Sequence, residues 1–152
     1  PELAKRLVDE LSEAGIPMAI ATTGSRAWVT ALMDRTFGKG RFVTLATGDE
    51  APIRKPDPSV YEVALAGLAD AGVDIGDRSR LIAVEDSEPG LLAAHGAKLT
   101  CLVVLNDYTV HQDFSLAAAV VDGFGTPECP AHRKRPPGPD VVVNEEFLAG
   151  LL

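Results

Sequence analysis

Apolar residues along the chain fall into short continuous runs separated by stripes at helical spacing. Leu3, Leu7, Val8 and Leu11 recur as one face of a helix, predicted over 2–14 and stopped by Gly15. Residues 17–21 form a brief apolar run, as do 41–46, 81–84, 98–105, 117–121 and 140–144. These runs are strand-length and predict strands. Between them, 26–35, 59–71 and 88–96 carry the spaced apolar residues of helices, and 145–152 predicts a short terminal one. Ser87 and Pro89 suit the cap and first turn of the 88–96 helix. The strands read as apolar blocks rather than as an alternation, the pattern of a sheet covered on both faces. Alternating strands and helices then predict an α/β fold around a mostly parallel sheet.

Residues 123–139 break the pattern. Glycines and prolines surround His132-Arg133-Lys134-Arg135, which predicts an exposed loop with a solvated basic tetrad. The chain's net charge of −8 argues against nonspecific nucleic-acid binding and against an anionic membrane surface. No apolar run is long enough to cross a bilayer and no leader segment is recognisable, so a soluble, reducing compartment is expected, cytoplasm or an organelle's stroma or matrix. Cys101 and Cys129 have no metal-ligand spacing, and Cys101, inside an apolar run, reads as a core thiol.

Three polar features fall at the ends of predicted strands or in the loops after them: Thr22-Thr23-Gly24-Ser25, Lys55 and Glu85-Asp86. With parallel strands they share one rim, where open α/β sheets bind ligands. The hydroxyl turn suits either a phosphate or an ordinary helix cap. Lys55, followed by the stiff Pro56-Asp57-Pro58, suits either a phosphoryl oxygen or plain solvation. Glu85 and Asp86 repel one another, which a hard cation such as Mg²⁺ would offset; an acidic helix cap is the other reading. The chain has no Gly-x-Gly-x-x-Gly after its first strand and no Gly-Lys-Ser/Thr loop, which disfavours an ordinary nucleotide-binding domain.

In combination these segments resemble a known family. Ala21-Thr22-Thr23, then Lys55-Pro56-Asp57-Pro58-Ser59-Val60-Tyr61, then Val84-Glu85-Asp86-Ser87 with Gly90 and Ala93-Ala94 resemble the haloacid dehalogenase-like hydrolase superfamily. The nearer branch holds β-phosphoglucomutases and sugar-phosphate phosphatases. Tyr108-Thr109, Asp113-Phe114-Ser115 and Ala117 are similar to its phosphatases for xylulose 1,5-bisphosphate and related sugar bisphosphates.

The resemblance implies a Rossmann-like three-layer core. It implies Mg²⁺-dependent removal of phosphate from a small phosphorylated metabolite through an aspartyl-phosphate, with no nucleic-acid or membrane partner. Thr22 matches the residue that hydrogen-bonds the transferring phosphoryl group, with the Thr23 backbone beside it. Lys55 matches the charge-stabilising lysine. Asp86 matches the main Mg²⁺ ligand and Glu85 a neighbour in or next to the metal shell. Arg26 falls where a side chain could touch substrate.

The superfamily's first motif, Asp-x-Asp-Gly-Thr, which carries the nucleophile and the general acid/base, occurs nowhere in these residues, and neither does the helical cap. The expectation is one partial core domain over 1–152, lacking the amino-terminal strand and cap and inactive alone. Its exposed apolar surface would be covered by the missing amino-terminal segment or would drive association. A mutase of the same superfamily and a catalytically dead binding module are the alternatives.

Overall fold

Apolar blocks and period-3.6 stripes resolve into alternating strands and helices in the computed structural model, which describes residues 2–152. In chain order these are α1 (Glu2–Glu13), β1 (Ala19–Ala21), α2 (Arg26–Phe37), β2 (Thr44–Ala46) and α3 (Ser59–Asp70). A single 3-10 turn (Arg78–Arg80) leads to β3 (Ile82–Glu85), α4 (Glu88–Gly96), β4 (Thr100–Val104), β5 (Ala119–Val121), β6 (Arg133–Arg135) and α5 (Glu145–Ala149). Helix α4 starts as its sequence predicts: the Ser87 hydroxyl accepts a hydrogen bond from Gly90 N at 3.3 Å, and Pro89 occupies the first turn.

The strands form two sheets. β1 and β2 pair in parallel, Ala19 opposite Thr44 and Ala21 opposite Ala46. The second sheet has the order β3-β4-β5-β6, with the first three strands parallel and β6 antiparallel. Successive strand side chains point to opposite faces. On one face Ala83, Cys101, Val103 and Val120 pack under α3 and α4, together with Ala46 and the partly buried Ala19 and Ala21 of the first sheet. One apolar core therefore runs beneath both sheets. On the other face Leu102, Ala119 and Val121 pack with Leu7 of α1, Leu148 of α5 and Val143. This is the expected three-layer α/β arrangement with a mostly parallel sheet. Among the described residues no helix is long and apolar enough to cross a membrane.

Two expectations are corrected. Residues 123–139 are not all loop, because Arg133–Arg135 pair with β5 across a bulge, Arg135 opposite Val120 and Arg133 opposite Val121. Lys134 reaches Asp122 at 3.2 Å, and the Arg133 guanidinium lies 5.9 Å from the Phe147 ring centre. An all-basic strand has no apolar alternation to betray it, and at a sheet edge its charges discourage further pairing. Residues 140–144 form no strand. Only an isolated bridge joins Val141 to Ala131, while Val143 is fully buried. The strand expected at 81–84 is shifted by one residue, to Ile82–Glu85, and the remaining ones are shortened, 41–46 for example to Thr44–Ala46, the three residues in register with β1.

The start of α2 is clamped to the end of β2. The Arg26 guanidinium donates to Glu50 at 2.6 Å and to the Leu45 carbonyl at 2.7 Å. Glu50 also accepts from the Thr47 N–H at 3.0 Å and from its hydroxyl at 2.5 Å. The Arg26 hydrogen bond, and then the Thr47 hydroxyl, push the Glu50 carboxyl down to about 2. A carboxyl lowered by folding stabilises fully above its ordinary 4.5, and that stabilisation is lost as pH falls through about 2. Wild-type protein is therefore expected to lose stability across that window by more than Glu50→Gln, which lacks the titration. Denaturation midpoints followed by Trp28 fluorescence at successive pH values measure the difference; parallel curves for the two proteins would refute it.

Candidate active site

The end of β1, the loop before α3 and the end of β3 meet at one rim. Thr22 follows β1; its N–H donates to the Ala46 carbonyl at 3.0 Å, and its hydroxyl oxygen accepts from Gly24 N at 3.2 Å. This folds 22–25 into a tight turn, with Thr23 exposed. The turn lies against the exit of β2, where Gly48 N donates to Gly24 O at 3.0 Å. A Cβ at Gly48 would stand 2.4 Å from the Thr23 carbonyl oxygen, so only glycine fits.

Lys55 arrives from the proline-rich loop. The Asp57 carboxylate accepts from the Ser59 N–H at 2.9 Å and from its hydroxyl, fixing the loop to the start of α3. The Lys55 side chain is only 16% exposed. Its ammonium donates to Glu85 Oε1 at 2.5 Å and to the Ala21 carbonyl at 3.2 Å, and lies 5.1 Å from the centre of the Tyr61 ring. It thus joins the last residue of β1 to the last residue of β3, across the gap between the two sheets.

The strand pleat separates the two adjacent carboxylates. Glu85 shares the face of Ala83 and points into the layer under α3, where its side chain is 8% exposed. There the Tyr61 hydroxyl donates to the same oxygen that Lys55 holds. Burial, and then the charge of Glu85, push the Tyr61 hydroxyl above its ordinary range, so it stays a donor. Burial also pushes the neighbouring Cys101 thiol up to about 12, which keeps it protonated and inert, as a core thiol should be. Asp86, one residue past the strand, is exposed; its Oδ2 accepts from Asn106 Nδ2 at 3.1 Å.

Of the residues expected from sequence, Thr22, Thr23, Lys55, Glu85 and Asp86 all stand at this rim. Arg26 is different, because its guanidinium is committed to Glu50 and Leu45 rather than offered to a ligand. Tyr61 and Gly90 belong to the segments that carry the resemblance but have no role in it, and Asn106 lies outside them. An Asn directly after the apolar run 98–105, on the same rim as Asp86, was the available signal.

Among the described residues no three His, Cys, Asp or Glu side chains gather as a metal cage. The donor set still fits Mg²⁺, which takes one or two carboxylates and fills its remaining positions with water and substrate phosphate. Asp86 supplies an exposed carboxylate oxygen, while Glu85 is already paired with the lysine.

A family model for haloacid dehalogenase-like hydrolases matches residues 1–98. A CBBY-like protein of Arabidopsis thaliana is 38% identical over 129 residues, covering 84% of this chain and 38% of its own. Protein CbbY of Cereibacter sphaeroides is 40% identical over 121 residues, covering 78% of this chain and 50% of its own. The crystal structure of a CbbY mutant from Rhodobacter sphaeroides in complex with xylulose-(1,5)bisphosphate superposes with a TM-score of 0.68 at 37% identity, over 78% of this chain and 51% of that one. This chain thus spans about half the length of these relatives, or less.

Gly90 provides a test of the buried pair. A Cβ there would stand 1.9 Å from Glu85 Oε2. Gly90→Ala is expected to destabilise the fold by about 1–3 kcal/mol, although alanine is the better helix former. Urea unfolding measures this, and an unchanged or raised midpoint would show that Glu85 can sit elsewhere at no cost.

Proposed function

This chain belongs to the haloacid dehalogenase-like hydrolases, and from that premise we propose that it carries the phosphate- and metal-handling half of a Mg²⁺-dependent phosphatase for a small sugar phosphate or bisphosphate. The supporting observation is the placement of the Lys55 ammonium, which touches Ala21 beside the hydroxyl turn and Glu85 beside Asp86. The likeness to a protein solved with xylulose-(1,5)bisphosphate supports the substrate class.

The roles follow from the contacts. The Thr22 oxygen accepts from Gly24 N, which leaves the hydroxyl proton to donate to a phosphoryl oxygen. The Thr23 backbone N–H lies alongside. Lys55, held in place by Glu85, offsets charge on the transferring phosphoryl group. Glu85 serves as the lysine's counter-ion, next to the metal position rather than in it. Asp86 is the metal ligand, and bound Mg²⁺ would supply further neutralisation of the phosphoryl oxygens there.

The attacking carboxylate belongs to a segment outside these residues. β1 and β3 each pair on one side only, and their ends meet at Lys55, which supports a further strand running between them. An aspartate at its end would attack phosphorus as the sugar oxygen leaves, and water would then hydrolyse the aspartyl-phosphate. Without that strand the two open edges would favour association.

The test is phosphate release by the full-length gene product on a panel of sugar phosphates and bisphosphates. Turnover is expected there and not from residues 1–152 alone. Lys55→Ala and Asp86→Ala should each lower kcat by roughly 10²–10³-fold, the usual effect of removing one charge-stabilising group. Turnover by residues 1–152 alone would refute the reading. So would a full-length protein inert on the whole panel, an outcome that would favour a binding module.

A further inference from the structure

The loop after β4 begins with a residue that the proposed chemistry does not yet use. Asn106 lies two residues beyond the end of β4, beside Asp86 at the end of the neighbouring strand. Its side-chain oxygen accepts hydrogen bonds from Tyr108 N at 2.9 Å and Thr109 N at 3.1 Å. Its backbone carbonyl accepts from Thr109 N and Val110 N, both at 3.1 Å. The amide is therefore fixed in orientation. Turning it over would set its NH₂ against two N–H donors and its oxygen against a carboxylate. Nδ2 must then face Asp86, and it donates to Oδ2 at 3.1 Å.

The far end of the loop is tied down separately. Gln112 Oε1 accepts from Glu88 N at 2.7 Å, and Asp113 N donates to Glu88 at 3.3 Å. Asn106 thus stands on a braced platform and holds one oxygen of an otherwise exposed carboxylate. Partners of this kind orient metal-ligating carboxylates, and losing one weakens metal binding by roughly 10–100-fold.

We propose that Asn106 is a positioning residue for metal binding: by holding Asp86 Oδ2 it presents Oδ1 as the single oxygen aimed at the cation. The inference rests on the reading of Asp86 as the metal ligand. It adds that the affinity of the site is set in part from the loop after β4.

The test is Mn²⁺ affinity of the full-length gene product, measured by electron paramagnetic resonance. Five proteins are compared: wild type, Asp86→Ala, Asn106→Ala, Asn106→Ser and Gln112→Ala. A serine hydroxyl can still accept from the turn N–H groups but is too short to reach Asp86. Both Asn106 variants are expected to bind Mn²⁺ roughly 10–100-fold more weakly, with Gln112→Ala near wild type. If only Asn106→Ala weakens binding, or Gln112→Ala weakens it equally, the effect belongs to the loop's fold and the inference is overturned. If Asp86→Ala weakens binding while neither Asn106 variant does, the inference falls and the metal reading stands. If Asp86→Ala has no effect, both fall. Thermal melts of each variant separate weak binding from unfolding.

Discussion

A buried ion pair governs this structure. Glu85 sits on the inner face of a parallel strand, among alanines, valines and a thiol, where an isolated carboxylate would be strongly disfavoured. Lys55 and Tyr61 remove that penalty by sharing one of its oxygens. The lysine comes from the loop before α3 and the tyrosine from α3 itself. Satisfying one carboxylate therefore sets the loop, the helix and the strand in mutual register. Breaking such a pair by removing one partner typically costs about 3–5 kcal/mol, so the site and the core are not separable. Gly90 belongs to the same arrangement, because the first turn of α4 passes too close to the carboxylate for any side chain.

The pleat converts a repulsive dipeptide into a division of labour. Glu85 and Asp86 are adjacent in sequence, yet one turns into the layer beneath α3 and the other stands at the mouth. The first acquires a cation from the protein. The second remains available, with its amide partner on the next strand's loop. Arg26 follows the opposite course. A cation at the start of a helix close to the hydroxyl turn looks suited to an anionic ligand, but Glu50 claims it and makes it a fastening between α2 and β2.

The sheet edges show a related contrast. At one end β6 presents Arg133, Lys134 and Arg135, charges that deter another strand. Between the two sheets no such protection exists. β1 is all Ala and Ile, and Val84 in the middle of β3 remains 43% exposed. The apolar core nevertheless continues beneath that gap, through Ala19, Ala21 and Ala83. The molecule is packed as helices on both faces of a sheet whose hydrogen bonding is interrupted.

Much of this was legible from local pattern. The blocks around Leu102 and Val120 read as strands because both their faces are apolar, and Ser87 with Pro89 marked the start of α4 because capping acts within a single turn. The rim was legible too, since Thr22, Lys55 and the acidic pair each follow a strand, and parallel strands end on one side. What local pattern leaves open is which partner each polar group takes. Lys55 and Glu85 are 30 residues apart, Tyr61 and Glu85 24, and Asp86 and Asn106 20. Those pairings depend on how α3 lies on the sheet and where the loop after β4 folds back. β6 was hidden for the same reason, since a strand of three cations shows itself only through its pairing with the neighbouring strand's backbone. Propensity and periodicity act over a few residues and decide what each segment becomes. The balance of buried charge is settled only when distant segments are packed together, and that balance separates the carboxylate buried against Lys55 from the one left exposed at the rim.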